Sequence, residues 1–171
     1  MSVSRLKVLL VDDHPNMRTM LIQILRSAGV TQTVQANDGS EGLQKMREHD
    51  IDIVLTDLAM EPIDGIDFVR MIRNSPDSPN PQVPVIMVTG HLTMSRIQEA
   101  RDAGVNEFVA KPITVRNVLE RLQVTIDHPR SFIRTDDFFG PDRRRRSDPL
   151  YAGPKRRKAD EPEPASPRAL I

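Results

Sequence analysis

Two adjacent carboxylates, Asp12 and Asp13, follow the apolar run "KVLLV" (7–11). Like charges side by side at the end of a buried strand repel each other, and a cation placed among them offsets that repulsion. A third carboxylate, Asp57, follows the run "IDIVLT" (51–56), Thr89 closes "VPVIMVT" (83–89), and Lys111 follows "VNEFVA" (105–110). Three carboxylates, a hydroxyl and an ammonium make an oxygen-rich set for a hard divalent cation such as Mg²⁺, which takes about six oxygen ligands and keeps several waters. A cation held in this way can hold a phosphoryl group. Asp at a strand end is also an ordinary turn former or helix N-cap, so the pair 12–13 alone says little. Five such groups at the ends of four runs say much more.

The elements that must position these groups alternate in two patterns. Short β-rich runs occur at 7–11, 33–36 ("TVQA"), 51–56, 83–89 and 105–110. Most are nearly continuous in apolar residues, as strands covered on both faces are. Helical periodicity lies between and after them. Met17, Met20, Leu21, Ile24, Leu25 and Ala28 fall on one face of a helix that stops at Gly29. Asp38 with Glu41 is an N-cap pair for a second helix carrying Leu43 and Met46. Phe68, Val69 and Ile72 mark a third, Thr93 to Ala103 with Ile97 and Ala100 inward a fourth, and Val115, Val118, Leu119, Leu122 and Ile126 a fifth. Five βα units in strict alternation imply an α/β fold, a parallel sheet wound with helices on both faces. Ligands of such sheets bind outside the carboxyl ends of the strands, and all five groups converge on that rim. The segment "RNSPDSPNPQVP" (73–84), with four prolines, reads as a stiff surface connector.

The chain has 171 residues and no cysteine, which excludes disulfides and thiolate metal sites. Its first apolar run, Val8 to Val11, is too short for a signal peptide or membrane span, so a soluble cytoplasmic protein without a membrane partner is expected. Net charge is zero but unevenly spread. Residues 1–127 hold 13 Lys/Arg against 17 Asp/Glu, a net of −4, and residues 128–171 hold 11 against 7, a net of +4. Seven of the 14 prolines also follow Ile126. We therefore expect a domain over 1–127 and a basic, Pro/Arg-rich tail over 128–171, largely irregular.

With "VDD" after the first strand, "TDLAMEPIDG" around Asp57, "VTGH" after the fourth and "FVAKP" after the fifth, residues 6–126 resemble a response-regulator receiver domain. The resemblance implies a doubly wound, flavodoxin-like, five-stranded parallel sheet of order 2-1-3-4-5. It implies that Asp57 accepts a phosphoryl group from a histidine kinase or histidine phosphotransfer protein. Asp13 would bind Mg²⁺ directly, Asp12 directly or through water, and the carbonyl of Ala59 would join them with Asp57. Lys111 would pair with the phosphoryl oxygens, Thr89 would move toward them, Phe108 would change rotamer with Thr89, and Pro112 would follow a cis peptide bond. The chain departs from the family at Met60-Glu61-Pro62, where proline falls one place later than usual, though Asp64-Gly65 keeps its spacing. Ala59 and His91 occupy the positions that tune access of water to the phosphoryl group. Such a protein is a phosphoaccepting signalling protein of a two-component or phosphorelay system rather than an enzyme. Its output would be contact with a downstream protein or self-association.

The tail contains a partial repeat at an offset of 13: Phe138, Gly140-Pro141 and Arg143-Arg144 match Tyr151, Gly153-Pro154 and Arg156-Arg157. Four of the six aromatic residues, Phe132, Phe138, Phe139 and Tyr151, lie there. Similar "FGPDRRRR" tails occur on receivers that lack a separate output domain. A solvated tail, a docking peptide with aromatic anchors, and a nucleic-acid-binding segment that would make the chain a small transcriptional regulator are the three readings. The last lacks any helix-turn-helix or zinc spacing. The sequence argues against a dinucleotide enzyme, since "DDHPN" and not Gly-x-Gly-x-x-Gly follows the first strand.

Overall fold

The computed structural model describes residues 3–90 and 93–143. Strands β1 (Lys7–Val11), β2 (Gln32–Ala36), β3 (Ile53–Asp57), β4 (Val85–Thr89) and β5 (Glu107–Ala110) alternate with helices α1 (Pro15–Ser27), α2 (Gly39–Glu48), α3 (Gly65–Asn74), α4 (Met94–Ala103) and α5 (Val115–Asp127). The strands form one parallel sheet in the order β2-β1-β3-β4-β5, the doubly wound arrangement expected from the alternation and the resemblance.

Period-two alternation splits each strand's side chains between two cores. Leu9, Val11, Val54, Val85 and Met87 pack with Leu43 and Met46 of α2, Ile66, Phe68, Val69 and Ile72 of α3, and Ala100 and Ala103 of α4. Val8, Leu10, Ile53, Leu55, Ile86, Val88 and Val109 face the other way, against Leu21, Ile24 and Leu25 of α1 and Val118 and Leu122 of α5. Each fully buried Leu, Ile, Val or Phe contributes about 1.5–3 kcal/mol, so both faces of the central strands stabilise the sheet. Met20, counted on the apolar face of α1, is exposed at the margin of the stripe.

The helix starts follow their sequence signals. The Asp38 carboxylate accepts from the Glu41 N–H at 2.9 Å, and Glu41 Oε2 accepts from the backbone N–H of Asn37 at 2.7 Å. Asp64, Thr93 and Thr114 cap α3, α4 and α5 in the same way. Helix α4 ends at Gly104.

An irregular tail was expected from residue 128 onward, but part of that segment is ordered. Phe132–Thr135 (β6) and Phe138–Pro141 (β7) form an antiparallel hairpin joined by Asp136-Asp137, a two-residue connection of the usual hairpin length. Strand β7 packs on α4 and α3. The Phe132 and Phe139 rings meet at 5.6 Å, and Phe139 is buried. Gly140 approaches the chain so closely that a Cβ there would lie 3.0 Å from the Gly104 Cα and 2.7 Å from the Phe138 ring. Arginines fix the aromatics: Arg73 lies 4.9 Å from the centre of Phe132, Arg134 4.1 Å from Phe139, and Arg143 4.3 Å from Phe138. The rest of the expected tail, 144–171, lies outside the described residues, and so do His91 and the second copy of the repeat.

Candidate functional site

Parallel pairing brings the ends of the central strands together. Asp57 is the last residue of β3 and pairs in register with Val88, while Thr89 ends β4 opposite Ala110. The next residues continue the ladder: Leu58 N–H donates to the Val88 carbonyl at 3.1 Å, Lys111 N–H to that of Thr89 at 2.8 Å, and Asp12 N–H to that of Ala36 at 3.2 Å. The backbone itself therefore sets Asp12, Asp57, Thr89 and Lys111 along one rim.

Asp12, Asp57 and Thr89 are 1%, 4% and 2% exposed. Lys111 Nζ lies 2.9 Å from Asp57 Oδ1. Asp12 Oδ1 accepts from the His14 N–H at 2.8 Å, whereas its Oδ2 is buried without a hydrogen-bond partner. Burial, with the charge of Asp57 beside it, holds the Asp12 carboxyl above the usual carboxylate range, against the His14 N–H and Lys111, which favour ionisation. Asp13 is more open, and its Oδ1 lies 2.6 Å from His14 Nδ1. One ligand atom from each of Asp12, Asp13 and His14 can be chosen within 4.8 Å of the others. A buried carboxylate oxygen with no donor, beside further carboxylates, is a donor set that a hard divalent cation fits.

The loop after β3 closes over the site. Gly65 N–H donates to the Leu58 carbonyl at 2.9 Å, and a Cβ on Gly65 would lie 2.1 Å from the Asp57 carbonyl oxygen. Only glycine lets α3 begin this close to Asp57. The expected site included Ala59, which is exposed in this loop, and Pro112, whose bond to Lys111 is cis, as is Glu61–Pro62. Phe108 on β5 is half-buried and packs on the α2–α4 side of the core.

Sequence reasoning missed Arg73. Placed there in the surface connector, it is a residue of α3, 2% exposed, and donates to the carbonyls of Gly104 and Pro81 and to Asn106 Oδ1. A lone arginine after an apolar helix carries no signal of this. Also missed was Glu107, a buried carboxylate at the start of β5 that Arg121 and Arg130 reach at 3.3 and 2.7 Å.

No helix among the described residues is long and apolar enough to cross a membrane. The chain is 36% identical over 118 residues to the chemotaxis protein CheY of Pseudomonas aeruginosa, covering 69% of this chain and 94% of that one. It is 37% identical over 106 residues to the CAI-1 autoinducer sensor kinase/phosphatase CqsS of Vibrio cholerae, covering 62% of this chain but 15% of that protein. A solved response regulator receiver protein from Pseudomonas putida superposes with a TM-score of 0.62 at 31% identity, covering 70% of this chain and 96% of its own. The family model for the response regulator receiver domain matches residues 8–123 and stops short of the hairpin. With an acidic rim at the carboxyl ends of a 2-1-3-4-5 sheet, the chain belongs to the response regulator receiver domain family.

Proposed function

We propose that this receiver takes a phosphoryl group onto Asp57 from a phosphohistidine and signals by protein contact. The observation that carries the reading is the buried Asp57 carboxylate held by Lys111 at 2.9 Å, electrostatically coupled to the buried Asp12. Transfer forms an O–P bond at an Asp57 carboxylate oxygen and breaks the N–P bond of the donor imidazole. Such a transfer needs positioning and charge neutralisation more than covalent help. Lys111 supplies one positive charge and an N–H donor for the phosphoryl oxygens. Asp13, Asp12, Asp57 and the Ala59 carbonyl are the groups that would hold Mg²⁺, which when bound adds the remaining neutralising charge. The donor is a histidine kinase or histidine phosphotransfer protein. The kinship with part of a sensor kinase/phosphatase supports a place in such a system.

Phosphorylation brings about −1.5 to −2 charge and three acceptor oxygens. Thr89, at the end of β4, donates its hydroxyl to that group, and the space it vacates admits Phe108. The domain signals as a phosphoacceptor, not as a catalyst of a separate substrate. The test is incubation with Mg²⁺ and a small phosphodonor. The wild type gains one acid-stable, base-labile phosphoryl group and Asp57→Asn gains none; equal labelling of the Asn variant would overturn the assignment.

A further inference from the structure

The hairpin builds a cleft that the receiver core alone lacks. Its Pro141 and Arg143, with Arg130 from the segment before β6, face Arg101, Val105 and Phe108 across a cavity of about 300 Å³. Among the described residues three guanidinium groups line it and no carboxylate does. Arg143 is held by Asp102 at 2.7 Å and by the ring of Phe138, yet its Nε–H is buried without an acceptor. Arg130 is directed to Glu107, while Arg101 on α4 is exposed. A buried N–H with no acceptor costs about 1–3 kcal/mol, and a carboxylate is the partner that best answers a guanidinium. The apolar walls, Val105, Phe108 and Pro141, suit a ligand with an apolar surface between its charges.

We propose that this cleft takes the acidic run Asp160-Glu161-Pro162-Glu163 of the chain's own C-terminal segment, bound in cis. Beyond Arg143 the sequence continues for 28 residues, and three of their four side-chain carboxylates lie in that run. Arg143 is itself a wall of the cleft, so everything that follows is tethered at its mouth. The sixteen residues 144–159 between them can span at most ~55 Å when extended, far more than the return requires. Tethering of this kind supplies an effective concentration in the millimolar range. Each proline disfavours helix at the glutamate before it, so Glu161-Pro162-Glu163-Pro164 prefers extended backbone and loses little freedom on docking. Its carboxylates meet the guanidinium groups of Arg101 and Arg143, and its prolines lie on Phe108 and Pro141. The face beside Phe108 is then covered by the chain itself until a competitor removes the run.

The test is competition in the full-length chain, without phosphodonor or Mg²⁺, so its failure leaves the phosphoacceptor reading of Asp57 untouched. A free peptide with the sequence of residues 159–165 is titrated against wild type and against the triple variant Asp160→Asn, Glu161→Gln, Glu163→Gln, with backbone amide shifts of residues 98–108 as the readout. These substitutions lie outside the residues the structure describes. The peptide should bind the triple variant at least about tenfold more tightly than wild type, because the tethered run no longer competes. Adding Arg101→Gln to the triple variant should weaken that binding by about tenfold, the worth of one charge-assisted hydrogen bond. No binding to the triple variant, or binding indifferent to Arg101→Gln, would overturn the proposal. Equal affinity of wild type and triple variant would also overturn it, leaving the cleft open to a partner's acidic segment. Protection of the wild type that disappears on dilution would make the occupant a second copy and overturn the cis assignment.

Discussion

Lys111 Nζ and Asp57 Oδ1 lie 2.9 Å apart, and the two residues come from different strand ends, joined by pairing through β4. The cation is thus positioned by the sheet itself. Asp57 is buried, so the ion pair is worth more here than on an open surface. In the proposed transfer, a lysine so placed would answer the Asp57 carboxylate before the reaction and the phosphoryl oxygens after it.

Lys111→Ala should therefore leave Asp57 able to accept a phosphoryl group but slow the reaction. Loss of one preorganised donor to a developing charge typically costs about 10²–10³ in rate. Phosphoryl incorporation against time, measured with Mg²⁺ and a small phosphodonor, reads this. A wild-type rate in the alanine variant would show that Lys111 is only a structural ion-pair partner.

Asp12 and Asp13 should respond differently to metal removal. Asp13→Ala should lose Mg²⁺ affinity more severely than Asp12→Ala, because Asp13 is the direct ligand in our reading; equal affinities in both variants and wild type would reduce the pair to a turn. Asp12 should also show a cost in chelator. Its carboxyl titrates above the ordinary value because of burial and then Asp57, so the folded chain binds that proton more tightly than the unfolded chain. The stability this contributes is full in acid and lost as pH rises through the raised pKa. Asp12→Asn should accordingly melt higher than wild type at neutral pH in chelator. A gain of about 1 kcal/mol moves Tm by roughly 2–8 °C. The gap should close in acid, and thermal melts at two pH values with and without Mg²⁺ measure it.

Arg73 should be the residue on which the hairpin depends most. Burial pulls its guanidinium down to about 9, and its compensation comes from three acceptor oxygens and the face of Phe132. Arg73→Ala takes the arginine from the Gly104 and Pro81 carbonyls, while Asn106 Oδ1 keeps the Val85 N–H, and it removes the support of β6. We expect a loss of about 3–5 kcal/mol, the usual cost of breaking a buried charged network. Phe132→Ala leaves the oxygens paired, so it should cost less overall while still freeing residues 132–141. Denaturant melts give the first quantity and hydrogen exchange over the hairpin the second.

The sheet was legible because its signals are local and redundant. Continuous apolar runs, helix stripes and capping residues such as Asp38 agree with one another, and the site groups sit where those runs end. The hairpin was not legible, because the same residues that suggest an irregular segment build it. Phe139 is buried and Phe132 and Phe138 half-buried, each against an arginine, Arg134, Arg73 and Arg143 in turn, and not by a repeated apolar pattern. Asp136-Asp137 is a weaker turn signal than Asn-Gly or Asp-Gly. Arg73 was hidden for a related reason: its burial depends on carbonyls 8 and 31 residues away, which no window of sequence displays. Met20 was misplaced because a periodic stripe does not mark where packing stops.

The last prediction concerns coupling from Asp57 to the hairpin. Phe108 belongs to the core cluster beneath α4 and also lines the cleft shared with Pro141 and Arg143. If Thr89 moves toward a phosphoryl group and Phe108 follows, the wall of that cleft changes shape. The hairpin, whose Arg143 is tied to Asp102 on α4, must then repack or bind its neighbours less well. A difference of about 1.4 kcal/mol between the two states is tenfold in an equilibrium, within the usual range for coupling between sites. Phosphorylation should thus change hydrogen-exchange protection across residues 132–143, and protease access beyond them. Thr89→Ala should blunt that change while leaving Asp57 able to accept phosphate, which separates the switch from the chemistry. Phe108→Leu keeps an apolar wall but removes the ring, and should blunt it as well. Identical protection in phosphorylated and unmodified protein would mean that the hairpin is only a structural brace on α3 and α4 and that the signal leaves the domain by another face.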